Sequence, residues 1–329
     1  MMHLEASWLG QLQARPDCVR NARVVIACSG GGDSVALLAF LYAVRGSLGL
    51  DLTVACADHG LRPEAAAELE LVRTLCRRAD LDLVEARLDV AGHARSQGLG
   101  LETAARELRW AWLKAQAAAC RAEVVATGHT LDDHTETVLI RLARGGGAAC
   151  LTPLPARQGL RWSPLILRRR AELRAYLEQC GLAWMEDASN LSPFTTRNRW
   201  RALLESMRDE APALDRHLLE THLQVEELLA FKEQEVAGWR GRRWQVQNGT
   251  LLLARGWPER ELRWALEAGF RELGWAREAR TLRDLAGWLL PLCGRRTGKI
   301  RAWGGYVLAP AENSAPFTWV LAKNCEPEC

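Results

Sequence analysis

The chain has 329 residues, enough for about two domains with their own cores. Its 43 Lys and Arg against 40 Asp and Glu leave global electrostatic steering toward a polyanion weak, so any such binding would rest on local charge asymmetry. Ten cysteines lie scattered without a C-x-x-C pair or a His/Cys cluster, the pattern of reduced thiols, which excludes a disulfide frame or a zinc site. No charged-then-apolar leader opens the chain, and the longest apolar run, residues 35–44, is half of what a membrane span needs. A cytoplasmic protein without membrane contact is expected.

Taken in chain order, residues 23–28 (RVVIAC) read as a buried strand and 33–44 as a helix. Residues 51–57 read as a second strand, followed by a helix over 63–78 with proline in its first turn. A third strand (81–88) precedes a long helix (102–120), and a fourth strand (123–127) precedes a helix over 132–144. Strands without polar alternation, separated by amphipathic helices, predict a parallel sheet covered on both faces, a Rossmann-like α/β fold. Ligands in such sheets sit at the carboxyl ends of the strands. Beyond about residue 205 the pattern changes to a helix over 211–238, an Asn-Gly hairpin over 244–254, helices near 258–273 and 277–291, and a Gly-rich strand-like tail. Two domains are expected, 1–205 and a smaller, mainly helical 206–329 with a β element. The 14 tryptophans are expected to be mostly core and helix-packing residues.

The first strand ends in S-G-G-G-D-S, Ser29 to Ser34. It lacks the lysine of a Walker loop and the spacing of a dinucleotide loop. Contiguous glycines let successive backbone N–H groups face one anion, the helix start adds partial positive charge, and Ser29 and Ser34 offer hydroxyls. Asp33 repels a bare phosphate but suits a site where Mg²⁺ bridges carboxylate and phosphate oxygens. The plainer alternative is a tight turn with Asp33 as helix cap. Further on, D-H-G-L-R (Asp58 to Arg62) ends the second strand, and G-H-T-L-D-D-H-T-E-T (Gly128 to Thr137) follows the fourth. His129, Asp132, Asp133 and Glu136 lie within two helical turns, where residues three or four apart share a face. They could accept a proton, hold an ammonium or hold Mg²⁺; Thr130 to Asp133 equally reads as a helix-capping box. E-D-A-S-N (186–190) and R-N-R-W-R (197–201) come later. Between Arg141 and Arg174 stand eight arginines and one acid, Glu172, and a second basic run comprises Arg295, Arg296, Lys299 and Arg301.

The S-G-G-G-D-S stretch resembles the PP-loop of ATP pyrophosphatases, which cleave ATP between the α and β phosphates. The further motifs, in their order and spacing, resemble the tRNA(Ile)-lysidine synthase branch of that family over residues 20–205, and the rest only in outline. The resemblance implies that ATP adenylates the wobble cytidine of the CAU anticodon of tRNA(Ile), and that free L-lysine then displaces AMP. It implies that Ser29, Gly30, Gly31, Gly32, Asp33, Ser34, Asp58, His59 and Arg62 bind ATP, with Mg²⁺ on Asp33. It implies catalytic roles for Asp33, His129, Asp133, Glu136 and Arg106. Asp132, Asp133, Glu136, Arg197, Asn198 and Arg201 would hold lysine or tRNA, and the C-terminal part would engage the tRNA. Arg106 lies in L-E-T-A-A-R-E-L-R, where a surface pair with Glu102 is the plainer alternative. The family's R-P-L-L reads Ser163-Pro164-Leu165-Ile166 here, so one arginine is missing, with Arg161 and Arg168 as the nearby replacements. The rivals are a tRNA thiolase on the same fold and a nucleotide-binding module without turnover. Oligomeric state, a homodimer included, is left open by the sequence.

Overall fold

The computed structural model describes residues 2–58, 65–145, 148–152, 154–186, 196–275, 279–293, 301–303, 306–311 and 319–323. The chain divides into two compact units, Met1–Arg144 with Cys150–Leu219, and Gly145–Ala149 with Glu220–Cys329.

In the first unit the order is α1 (Met2–Gln13), β1 (Arg23–Ala27), α2 (Gly32–Leu48), β2 (Asp51–Asp58), α3 (Ala65–Ala79), β3 (Asp82–Arg87), α4 (Val90–Gln97), α5 (Leu101–Ala119), β4 (Val124–Ala126), α6 (Leu131–Ala143), β5 (Arg157–Gln158), β6 (Arg161–Trp162), α7 (Arg170–Cys180) and α8 (Thr196–Glu210). The sheet runs β3-β2-β1-β4-β6-β5. Its first five strands pair in parallel, with Val24 opposite Leu52 on one side and Val124 on the other, while the edge strand β5 pairs antiparallel with β6. The expected parallel sheet is therefore present, with a short antiparallel edge that the sequence pattern did not reveal.

Both faces of the sheet are covered because β1 is apolar on both. Val24 and Ile26 pack with Leu37 and Leu41 of α2, Leu173 and Leu177 of α7, and Trp8 of α1. Val25 turns the other way and packs with Ala55, Val125 and, on α5, Leu113 and Ala117. Successive strand residues point to opposite faces, so an uninterrupted apolar run requires cover on each side. This arrangement leaves the carboxyl ends of β1, β2 and β4 as the open edge, and those ends carry Ser29, Asp58 and Thr127 to His129.

The second unit continues with α9 (Leu214–Trp239), which spans the division, then β7 (Trp244–Gln247), β8 (Thr250–Leu253), α10 (Glu259–Leu273), α11 (Ala279–Cys293), β9 (Arg301–Trp303), β10 (Tyr306–Pro310) and β11 (Trp319–Lys323). The expected Asn-Gly hairpin is β7–β8, with Gln247 opposite Thr250. It is not a lone β element. It forms one side of a five-stranded antiparallel sheet, β7-β8-β11-β10-β9, whose inner residues Leu251, Leu253, Leu308 and Leu321 pack on Leu262, Leu266 and Phe270 of α10 and Leu285 and Leu289 of α11. Among the described residues no helix is long and apolar enough to cross a membrane.

Candidate active site

The glycine loop closes on itself through Ser34. Its hydroxyl donates to the Gly31 carbonyl at 2.8 Å and accepts the Ser29 N–H at 3.1 Å. The proton that the sequence offered to an anion is thus committed to the loop. Gly31 caps α2 without a side chain, and the first N–H groups of a helix have no partner within it, so the loop presents donors and positive dipole at the open sheet edge. Gly30 takes a left-handed φ of 83°, and a Cβ there would stand 3.1 Å from the Glu68 carbonyl oxygen. On the loop's other flank the Met185 N–H donates to the Gly30 carbonyl at 3.0 Å, and the neighbouring Trp184 indole donates to Glu186 at 2.9 Å. The opening of the E-D-A-S-N motif therefore lies along the loop; residues 187–190 are outside the described residues.

Gly128 is where the fourth strand's loop meets the first. A Cβ at 128 would lie 2.9 Å from the backbone oxygen of Asp33 and 3.2 Å from the Ser34 nitrogen, a clash with backbone that cannot rotate away. Gly128→Ala is expected to push α2 and the glycine loop aside, lowering stability by about 1–3 kcal/mol as overpacking does. Urea unfolding checks this; an unchanged midpoint would mean the loops are not held against each other here.

Helix α6 brings the acids. Thr130 and Asp133 do form the capping box: the Asp133 N–H donates to Thr130 Oγ1 at 3.3 Å, and the Thr130 N–H donates to Asp133 Oδ2 at 3.0 Å. The box uses one carboxylate oxygen only. Asp133 Oδ1 accepts from Arg170 Nη2 at 2.5 Å. The capping and functional alternatives are thus compatible in one side chain. Glu136, one turn on, is only 1% exposed, and its Oε1 accepts from Arg170 Nη1 at 2.9 Å and Arg201 Nε at 2.7 Å. Asp33 joins the same guanidinium, with Arg170 Nε at 3.1 Å from Oδ2. Three carboxylates, one from the loop helix and two from α6, thus meet on one fork.

Asp132 faces a different partner. Its Oδ2 accepts the Arg170 backbone N–H at 2.7 Å and its Oδ1 accepts from Arg208 Nη2 at 2.8 Å. Arg208 also donates to both oxygens of Asp215, at 2.9 Å each, and Thr135 donates to Asp215 at 2.9 Å. All of Asp132, Arg208 and Asp215 are buried.

These neighbours set the electrostatics. Burial pushes the Asp33 carboxyl above its ordinary value, Asp133 and Asp132 push the same way, and Arg170 opposes them without winning. For Arg170, burial alone would lower the pKa, yet Asp133, Glu136 and Asp33 outweigh it and hold the guanidinium above its ordinary value.

His129 sits where β4 exits toward α6. Its Nδ1 lies 2.8 Å from Thr127 Oγ1 and 3.4 Å from Ser163 Oγ, and the two hydroxyls are 3.1 Å apart. Ser163, where the family pattern has arginine, is thus a buried hydroxyl beside the histidine. The two candidate replacements are engaged elsewhere: Arg161 donates to Gln158 at 2.7 Å, and Arg168 bonds Gln11 and Glu172 and covers the Trp8 ring.

The remaining expected residues divide. Arg201 is in the cluster, and Asn198 stands three residues earlier on α8, hence on the same helix face. Asp58 ends β2, 3.8 Å from Arg87 Nε. Arg106 forms no ion pair with Glu102 among the described residues, so the surface-pair alternative is not realised. It instead lies near Arg109 and Arg161, adding to the burial that lowers the pKa of each. His59, Arg62 and the side chain of Arg197 lie outside the described residues, as do Pro63, Arg295, Arg296 and Lys299. Sequence reasoning missed Arg170, Arg208 and Asp215. One signal was available for Arg170: cations are disfavoured at a helix start, so three arginines running into the first turn of α7 call for acids from elsewhere.

The PP-loop domain family model matches residues 4–207. A tRNA(Ile)-lysidine synthase of Thermus thermophilus is 41% identical over 196 residues, covering 59% of this chain and 38% of the relative. Proteins of the same name from Nitratidesulfovibrio vulgaris and Deinococcus radiodurans are 42% identical over 187 residues and 37% over 267, covering 56% and 80% of this chain and 53% and 43% of the relatives. The chain therefore spans about half the length of the curated relatives it matches, or less. Among solved structures, the U34-tRNA thiolase NcsA from Methanococcus maripaludis with its [4Fe-4S] cluster superposes with a TM-score of 0.56 at 14% identity, over 68% of this chain and 80% of that one. That likeness concerns the fold.

Proposed function

The chain belongs to the ATP-binding PP-loop domain family, and from that premise we propose that it ligates free L-lysine to the wobble cytidine of tRNA(Ile) with a CAU anticodon. The relatives that share 37–42% of aligned positions bear that activity in their name. The observation that carries the reading is the meeting of Asp33, from the phosphate loop, with Asp133, Glu136 and Arg201. A site that only binds nucleotide gains nothing from buried acids beside a triphosphate.

The chemistry has two bond exchanges. The cytidine carbonyl oxygen attacks the α-phosphorus of ATP, forming an O–P bond as the bond to the departing diphosphate breaks. The lysine side-chain nitrogen then attacks the ring carbon, forming C–N as the C–O bond to AMP breaks, and the amine's proton passes to a base. Ser29 to Ser34 cradle the diphosphate, and Asp58, His59 and Arg62 are assigned to nucleotide binding. Arg106 stands to balance phosphate charge. Deprotonating a lysine side chain at pH 7 costs about 4.6 kcal/mol from its reference pKa near 10.4, so a positioned acceptor is needed. That role is assigned to Asp133, Glu136 and His129, with Asp132, Asn198, Arg197 and Arg201 assigned to lysine or tRNA. Asp33 fits Mg²⁺, which takes one or two carboxylates together with phosphate oxygens and water: its carboxylate is part-exposed, with a side-chain exposure of 31%, at the start of the loop helix. When bound, Mg²⁺ neutralises charge on the departing diphosphate. Exposed Arg141, Arg144 and Arg157 supply backbone contacts for RNA.

The thiolase alternative is poorly supported by the thiols. Cys28, Cys56 and Cys76 are buried, and burial pushes the last two up to about 12, away from the thiolate that sulfur transfer needs. The test is to supply unmodified tRNA(Ile), ATP and labelled lysine, then digest to nucleosides. AMP release that requires both lysine and tRNA, with label on a cytidine-derived nucleoside, is the expected result. ATP bound but never cleaved would mean a binding module, and AMP formed only with a sulfur donor would mean a thiolase.

A further inference from the structure

We infer that Arg170 is a positioning residue for amine transfer, its guanidinium tying the phosphate loop to the acid helix so that Asp33, Asp133 and Glu136 converge on one point. The inference rests on the lysine-ligation reading above. Each nitrogen of the fork takes a different carboxylate: Nε Asp33 at 3.1 Å, Nη2 Asp133 at 2.5 Å and Nη1 Glu136 at 2.9 Å. The Arg170 backbone N–H adds Asp132 at 2.7 Å. Four acids from two helices are therefore ordered by one residue on a third. Arginine alone among the side chains offers donors in a rigid planar fork; lysine is a point charge on a flexible stem.

The placement also has a cost that implies a use. Arg170 opens α7, where the helix dipole disfavours a cation, and it draws three carboxylates together that would otherwise repel. Held this way, the acids that handle the incoming ammonium stand at a fixed distance from the carboxylate beside the phosphates. Like-charged groups without a shared cation would separate, and the amine would be delivered out of register with the nucleotide. At binding interfaces, truncating one partner of a buried, hydrogen-bonded charge pair costs on the order of 100-fold, and an effect of that size is expected here.

The test compares Arg170→Ala and Arg170→Lys with the parent chain in the lysine- and tRNA-dependent release of AMP. In Arg170→Ala, kcat/KM for lysine is expected to fall on the order of 100-fold, a larger loss than that in ATP affinity. Methylguanidinium at low millimolar concentration is expected to restore turnover in that variant and to raise its melting temperature, with neither effect on the parent. Arg170→Lys, able to engage one carboxylate at a time, is expected to fall between the two. An Arg170→Ala protein that keeps its kcat/KM for lysine, or one that is folded yet unresponsive to methylguanidinium, overturns the inference. If that variant does not fold even with methylguanidinium, Arg170→Lys decides, and full lysine kcat/KM in it is equally fatal. A parent chain that releases no AMP with lysine and tRNA defeats the ligation reading instead. The melting-temperature response, which needs no turnover, then still reports whether the cluster binds a guanidinium.

Discussion

Asp33→Asn is expected to fold at least as well as the parent chain and to lose AMP release by about 1,000-fold, the upper end of what removing one charge-stabilising group costs. The two halves of this result come from the same electrostatics. Burial, Asp133 and Asp132 together raise the Asp33 pKa despite Arg170. A carboxyl whose folded pKa lies above its unfolded value binds its proton more tightly in the folded state. Its contribution to stability is therefore greatest at acid pH and declines as pH rises through the unfolded and then the folded value. At neutral pH the ionised Asp33 is a liability, and a neutral isostere that still accepts from Arg170 Nε relieves it. On the ligation reading, loss of the carboxylate removes the group proposed to hold Mg²⁺ with the phosphates. Melting curves from pH 4 to 8 would show the difference between variant and parent widening in the variant's favour as pH rises. Full activity in Asp33→Asn would remove its role, and a variant less stable at every pH would mean that the pair with Arg170 dominates over burial.

How much of this was legible in the sequence follows from what kind of signal each feature leaves. The parallel sheet was readable because Val24 to Ile26 and Val124 to Ala126 are buried from both sides and thus apolar without alternation. The glycine loop was readable because backbone conformation and close approach there demand a run of small residues. α4, α7 and α8 left weaker traces. α4 is short, and the polar faces of α7 and α8 carry many arginines whose partners lie on other elements. The second unit's sheet was underestimated because β9 and β10 are short pieces, paired locally with Leu308 opposite Arg301, and they join the β7–β8 hairpin only through the long-range pairing of β11 with β8, Leu321 opposite Leu251. Of the site, α6 announced its own acids by spacing, but nothing local says that Arg170, 37 residues from Asp133 in the chain, is their partner. Tertiary charge pairing has no period.

The same blindness hid Arg208, which carries the largest expected effect on stability. Arg208→Met is expected to cost about 3–5 kcal/mol, because it leaves Asp132 and Asp215 buried and without their shared cation. Asp132 is 6% exposed and Asp215 4%, so water cannot screen them, and Arg208 bonds both through Nη2 at 2.8 and 2.9 Å. Arg169, with Nε 3.3 Å from Asp215, offers only a partial substitute from the other side. The Arg208 contact to Glu205, whose side chain is 68% exposed, contributes little to this figure. The penalty belongs to the uncompensated acids and not to the missing arginine, so it is expected to shrink when they are neutralised. Arg208→Met combined with Asp132→Asn and Asp215→Asn should recover more than half of the loss, a non-additivity that a purely steric role for Arg208 would not produce. Urea midpoints of the single and triple variants measure it, with hydrogen exchange over residues 196–219 reporting where the loss falls. A triple variant as unstable as Arg208→Met would show that packing of the arginine stem, and not charge, fixes α8 against the acid helix. Since Asp132 also accepts the Arg170 N–H at 2.7 Å, loosening this buried network is expected to reach the cluster at Asp133 and Glu136, and AMP release in Arg208→Met should fall further than its stability alone explains.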